Sequence, residues 1–457
     1  MRIVALALAL ALAPSALPQE AAPAGGCALE QVTYRGWKAW KLSNGIVTLH
    51  VVPEIGGRII QAELGGHPYL WINPATEGKV FPPEESGGAR DRAWKNYGGS
   101  KLWPAPQGWE REDQWPGPGD PVLDASPFRA GVVERNRQAV ALKLTGPEDP
   151  YSGIQFARTV RLSAGTSRVD FTFEMRNVSS RRVRWSVWEV VQHAVLEPGA
   201  DPASARSPLR VYCPVNPKSR FPGGVNTMFG LVNDPRYRVD PLTGILEGEY
   251  AWRVHKVGLD SEAGWAAVVD GASRHAFLHA FRHEPAREYP DGASVEFWFN
   301  GPGQFVINRN IIEAPKDPAQ SPALLESEIL SPLVALAPGE TYEFRTEWLL
   351  TRVGVPILAP EGGGVAHRSF GAARLEGGKV RVEGTFGVFY SGEAELQFKD
   401  SSGFPVARES LGRVTPLEPA SVSREFAVPA DVVRAVVRLK GEDGRDRGPV
   451  VSVPVGK

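Results

Sequence analysis

The segment "LLESEILSPLVALAPGE", residues 324–340, sets two carboxylates two positions apart. On an extended strand Glu326 and Glu328 share a face, their side chains roughly 6.6 Å apart. Paired carboxylates in a dry site push one of their pKa values up, which suits acid–base work. On a wet surface the same pair is a plain solvated face. The neighbours Leu324, Leu325, Ile329 and Leu330 speak for partial burial. A second candidate is His193, at the end of "WSVWEVVQHAV", residues 185–195. A histidine at a strand end beside a loop can serve as a general acid near neutral pH, or as a hydrogen-bonded structural group. In that strand Trp185, Val187, Glu189, Val191 and His193 face one way and Ser186, Trp188, Val190 and Gln192 the other, so both faces call for cover.

The third candidate is "NYGGSKLWPAPQGWEREDQWP", residues 96–116, with Trp103, Trp109 and Trp115 six apart. Aromatic rings carry apolar faces, and sugars present faces of C–H groups to stack on them. Extended, "SKLWP" places Lys101 and Trp103 on one side, a cation beside a ring. A sugar platform and a set of tryptophans plugging loops onto the core fit this composition equally. "SRHAFLHAFRHEP", residues 273–285, spaces His275, His279 and His283 by four. Its composition reads as strand, which holds the outer two roughly 26 Å apart, too far to share an ion. No metal site is expected. There is no phosphate-binding loop, CxxC, HExxH or GxSxG, so no cofactor is implied and a nucleophile-elbow hydrolase has no support.

These residues must be positioned by strands. The chain has 457 residues with 49 Gly, 40 Pro and 13 Trp. That is turn-rich, and period-two alternation recurs along it. "IVTLHVV" (46–52), "RIIQAEL" (58–64), "AVALKLTG" (139–146), "FARTVRLSAG" (156–165), "RVDFTFEMRNV" (168–178), "SVEFWFN" (294–300) and "TYEFRTEWLLTRV" (341–353) all read as strands. Residues 196–250 read as a long Pro/Gly/Asn-rich loop region. "PEGGG" (360–364) reads as a linker. Beyond it, short strands at sandwich spacing predict a small accessory domain over 366–457. The net charge of -1 argues against nucleic acid or an anionic membrane as partner. The first 20 residues, with Arg2, an apolar run to Ala13 and the small-x-small Ala13-Pro14-Ser15, predict an export signal. No later segment is apolar enough to span a membrane. The mature protein is expected in the periplasm or secreted. Of the two cysteines, Cys27 is also a candidate lipid anchor, the weaker of the two readings. Its pairing with Cys213 stays open.

Four stretches in order resemble the galactose-mutarotase-like superfamily, in an uncharacterised bacterial branch: "SNGIVTLHVVPEIGGRIIQAEL" (43–64), "NYGGSKLWPAPQGW" (96–109), the strand ending in His193, and "LLESEILSPLVALAPGETYEFRTEW" (324–348). The resemblance covers roughly residues 32–353. It implies an all-β supersandwich over 32–356, followed by an immunoglobulin-like β-sandwich, and a carbohydrate ligand. It implies Glu326 as base on the anomeric hydroxyl, with Glu328 a near alternative, and His193 as acid on the ring oxygen. Lys101, Trp103, Trp109, Arg58, Glu328 and His279 would line the same cleft. Where the superfamily carries Asn-His-x-Tyr-Phe-Asn, this chain reads Gln192-His193-Ala194-Val195-Leu196, and no histidine lies between His67 and His193. A non-catalytic glycan-binding protein is therefore the alternative to an aldose epimerase, with a glycan hydrolase or lyase third.

Overall fold

A computed structural model describes residues 26–85, 94–108, 111, 113–307 and 310–456. The expected export signal and Trp109 lie outside the described residues. Among those described, the regular structure is strands and three single turns of 3-10 helix. No described helix is long and apolar enough to cross a membrane.

Two large sheets dominate. The first is twelve-stranded, and its middle runs Arg58–Leu64, Ser100–Ala105, Val183–Ala194, Leu324–Leu330, Val295–Phe299, His255–Leu259. The second is ten-stranded. Its middle runs Trp265–Asp270, His275–Phe281, Thr341–Arg352, Arg168–Asn177, Ile154–Ser163. Alternation explains the second sheet directly: in Arg168–Asn177, Val169, Phe171, Phe173 and Met175 are buried and the residues between them are less so. Val183–Ala194 is instead buried along nearly its whole length, as its double-sided pattern requires. The main apolar core fills the space between the sheets, with Trp348, Phe171, Phe277 and Val191 among its members.

The 196–250 region departs from expectation. It contributes four strands, Leu209–Pro214, Asn226–Phe229, Tyr237–Val239 and Ile245–Glu249, which extend both sheets at their margins. Short apolar pieces between prolines and glycines are enough for edge strands, whose length need not be great.

The C-terminal part forms an eight-stranded unit with its own core around Val380, Leu396, Phe398 and Val437. "PEGGG" is not a free spacer. Gly364–Ala366 pairs with Phe386–Val388, and a Cβ on Gly364 would stand 2.1 Å from the Gly387 carbonyl oxygen. The glycines there permit close backbone approach. A further apolar cluster joins the parts: Leu349, Val353, Trp265 and Leu278 pack with Val365 and Phe389. The Thr166 and Thr351 hydroxyls donate to the carbonyls of Phe389 and Val388 at 2.7 and 2.8 Å.

A polar cluster lies within the seam between the large sheets. Glu189 accepts from the Trp348 indole at 2.8 Å and from the Thr346 hydroxyl at 2.9 Å. His193 and His279 each bring Nε2 to the Ser327 hydroxyl, at 2.7 and 2.8 Å. Burial pushes the Glu189 carboxyl up to about 7, although its hydrogen bonds and Arg158 pull the other way. Burial holds His279 down to about 3, and burial followed by the neighbouring His279 holds His193 down as well.

The sign of the resulting pH dependence follows. Folded Glu189 keeps its proton to about pH 7, whereas an unfolded glutamate loses it near 4.5. Its contribution to stability is therefore present at low pH and lost as pH rises through 7. The two histidines work oppositely, costing stability as pH falls below 6.5. Glu189→Gln mimics the neutral carboxyl, so its stability relative to wild type should rise by about 2 kcal/mol between roughly pH 5 and 8. Urea unfolding of both proteins at the two pH values measures this. A difference that does not change with pH contradicts it.

Candidate functional site

The face of the twelve-stranded sheet turned away from its partner carries a second, larger set of polar groups. The register of four strands assembles it. Glu326 stands between Trp298 and Gln192, and Glu328 between Glu296 and Val190, with Lys101 next beyond Val190. Because side chains alternate, Glu326, Glu328, Glu296, Trp298, Gln192 and Lys101 all emerge on one side.

Glu326 Oε1 accepts from Lys101 Nζ at 2.9 Å and from Gln192 Nε2 at 2.7 Å. Lys101 Nζ also lies 4.1 Å from the Trp103 ring centroid and 4.6 Å from that of Trp94, a cation enclosed by two indoles. Burial pulls the Lys101 ammonium below its ordinary value, opposed by the charge of Glu326. One strand repeat along, Lys256 Nζ donates to Glu328 Oε2 at 2.9 Å and lies 2.7 Å from Glu296 Oε2. The Trp188 indole also donates to Glu328 Oε2, at 2.9 Å. Burial disfavours the Lys256 ammonium, but the two carboxylates outweigh it and hold the group above its usual range.

Asp124 organises the other margin. It accepts from Arg58 at 2.5 Å, from Trp94 at 2.6 Å and from Trp103 at 2.9 Å. Arg58 also donates to the Gly98 carbonyl at 3.2 Å. Trp115 is fully buried, packs 5.0 Å from the Trp103 ring and donates to Asp120 at 2.7 Å. The tryptophans of this segment whose positions are described thus act first as core plugs with their N–H groups satisfied.

Several expected roles change. His193 pairs across the strands with Leu325 and Gln192 with Glu326, so His193 and Glu326 project from opposite faces of the sheet. His193 cannot act as the acid across a cleft from Glu326. His279 belongs to the same interior cluster, bound to Ser327, and does not line the cleft. Arg58 is wholly buried in its ion pair with Asp124 and supports the site from beneath. Trp103 and Lys101 are 3% and 2% exposed, and Glu328 is sealed. Glu326, with 12% of its side chain exposed, is the carboxylate of the group that reaches the surface, beside half-buried Trp298 and Trp94. Sequence reading overlooked Lys256, Glu296 and Trp298. A signal existed for two of them: in "SVEFWFN" Glu296 and Trp298 share a face, and a charge inside an apolar strand needs a partner. Lys256 lies on a strand with no comparable pattern.

Removing one partner of the buried Arg58–Asp124 pair leaves an uncompensated charge. Asp124→Ala should lower the unfolding free energy by about 3–5 kcal/mol, read from chemical denaturation. A loss under about 1 kcal/mol would show that the pair does not organise this margin.

Comparisons with known proteins give the following. A family described as Domain of unknown function (DUF4380) matches residues 38–351. No curated protein matches the chain. Among solved structures, a TPR-domain containing protein from Parabacteroides distasonis is 11% identical with a TM-score of 0.44, covering 69% of this chain and 47% of its own, so the chain spans about half of that protein. A galactose mutarotase related enzyme from Lactobacillus acidophilus is 11% identical with a TM-score of 0.38, covering 68% and 97%. A galactose mutarotase-like protein from Clostridium acetobutylicum is 10% identical with a TM-score of 0.39, covering 72% and 99%. The family match spans well over half of the chain, and the chain belongs to the DUF4380 family of domains of unknown function.

Proposed function

We propose that this is an exported carbohydrate-binding protein whose ligand sits where the outer face of the twelve-stranded sheet reaches the surface, against Glu326 and Trp298. The observation that carries this reading is the pairing of the two residues. Glu326 is a buried-edge carboxylate fixed by Lys101 and Gln192, and a half-buried indole stands directly across the strand from it. A carboxylate accepts hydroxyl hydrogen bonds, and a ring takes the C–H face of a sugar beside it. The motifs shared with the mutarotase-like superfamily support the same ligand class. Isomerisation of a bound aldose is the activity this chemistry suits, since Glu326 is placed to take a hydroxyl proton.

A panel of immobilised glycans, followed by calorimetry with the best ligand, tests binding. Glu326→Gln keeps the shape but loses charge-assisted acceptance and should weaken binding about tenfold or more. Trp298→Ala should weaken it by a similar factor. If the wild type binds no glycan, or if neither variant changes affinity, the reading fails.

A further inference from the structure

A groove of about 600 Å³ lies away from Glu326, on the outer face of the ten-stranded sheet. That volume falls within the roughly 300–1,000 Å³ usual for ligand sites. Strand register explains its lining. Arg129 stands across from Thr145, Thr145 from Ala157, and Ala157 from Glu174. One repeat along, Gln155 stands across from Arg176 and Arg176 from Thr341. The residues between them, such as Leu144, Phe156 and Met175, belong to the core, so this set emerges on the solvent side. The edge strand Arg129–Arg135 forms one wall. It bulges between Val132 and Glu134, and Val133 there is 61% exposed. The floor is low where Ala157 and Gly131 lie, and a Cβ on Gly131 would meet nothing within 4 Å.

The groove is positively charged in a chain whose net charge is -1. Arg129, Lys143 and Arg176 line it against one carboxylate, Glu174. Lys143 Nζ donates to both oxygens of Glu174, at 2.6 and 2.9 Å, and so neutralises that pair. Arg129 and Arg176 are exposed, and neither has a hydrogen-bond, ion-pair or ring partner among the described residues. Two other carboxylates at this end, Glu148 and Glu343, lie outside the lining, and Glu343 accepts from Arg345 at 2.8 Å. Two free guanidinium groups therefore remain.

We propose that this groove is a second carbohydrate site, for an acidic oligosaccharide whose carboxylates are taken by Arg129 and Arg176. A free guanidinium meets a carboxylate with two parallel N–H donors. The two arginines stand on strands three steps apart, roughly 14 Å, so a chain with a charge on successive sugar units satisfies both. Between them the Thr145 and Thr341 hydroxyls have no partner of their own among the described residues and suit the hydroxyls of the sugar rings. A peptide would instead add to the free edge of Arg129–Arg135, outside the groove. Nucleic acid calls for a far more basic surface. The groove shares no residue with the Glu326 site, so either can fail without the other.

Calorimetry with tetramers of galacturonate, mannuronate and glucuronate, each beside its methyl ester, tests the site. At least one acid should bind, its ester about tenfold more weakly, and the affinity should fall between about 50 and 300 mM salt. Arg129→Gln combined with Arg176→Gln should weaken binding about tenfold or more. Gly131→Tyr keeps every charge and puts a ring into the open space, and should weaken it likewise. All three positions are exposed, and thermal unfolding checks that the variants fold. Binding of no tetramer, equal binding of acid and ester, or unchanged affinity in either variant overturns the site. So does loss of the acidic ligand in Glu326→Gln or Trp298→Ala with the groove variants unaffected. Poly-glutamate binding as tightly, with the same dependence on the arginines, overturns the carbohydrate assignment.

Discussion

A strand turns successive side chains to opposite sides, and in this molecule one strand must serve two polar systems at once. Val183–Ala194 sends Glu189 and His193 into the seam between the sheets and Trp188 and Gln192 to the opposite face. Its neighbour Leu324–Leu330 does the same, with Ser327 on one side and Glu326 and Glu328 on the other. A register slip of one residue would exchange the two systems and leave every one of these groups without its partner. Glycines hold that register locally. A Cβ on Gly98 would stand 2.1 Å from the Trp71 carbonyl oxygen, and Gly99 has a positive φ of 71° beside Ile59.

The two polar systems solve the burial of charge differently. Inside the seam, neutral species suffice: Glu189 keeps a proton over much of the pH range and the histidines stay uncharged. On the other face, carboxylates and indole rings surround the ammonium groups: the two carboxylates hold Lys256 above its usual range, whereas burial outweighs Glu326 at Lys101 and pulls it down. Trp188 joins both halves of that face, since its N–H serves Glu328 while its ring lies 4.9 Å from Lys256 and 5.5 Å from Trp103.

Much of this was legible from periodicity. The strands containing "RVDFTFEMRNV", "VRWSVWEVVQH" and "LLESEIL" stand where alternation put them, and Glu326 and Glu328 do share a face. The same rule already assigned His193 and Gln192 to opposite sides of one strand. What periodicity could not supply was which neighbour each strand would take, and hence that Gln192, not His193, would stand beside Glu326. Long-range pairing also hid Lys256 and Glu296, whose strands lie some seventy and thirty residues from Glu328 in the chain. Tryptophan spacing misled for a simpler reason: an indole that looks like a platform in sequence is buried as readily as any large apolar ring once its N–H finds a carboxylate, as Trp103 does with Asp124.

Thr341–Arg352 runs from one end of the molecule's organisation to the other. Midway it supplies Thr346 and Trp348 to Glu189, and at its close Thr351 reaches the Val388 carbonyl of the C-terminal unit. The C-terminal unit is thus joined to the same strand that supplies hydrogen bonds to the seam. A module joined in this way is not an interchangeable bead. Swapping it for another sandwich would mean recutting the last residues of that strand, and with them the packing of Leu349 and Val353 against Val365 and Phe389 that seals the joint. Inheritance of the two parts as a single piece is what such a joint favours.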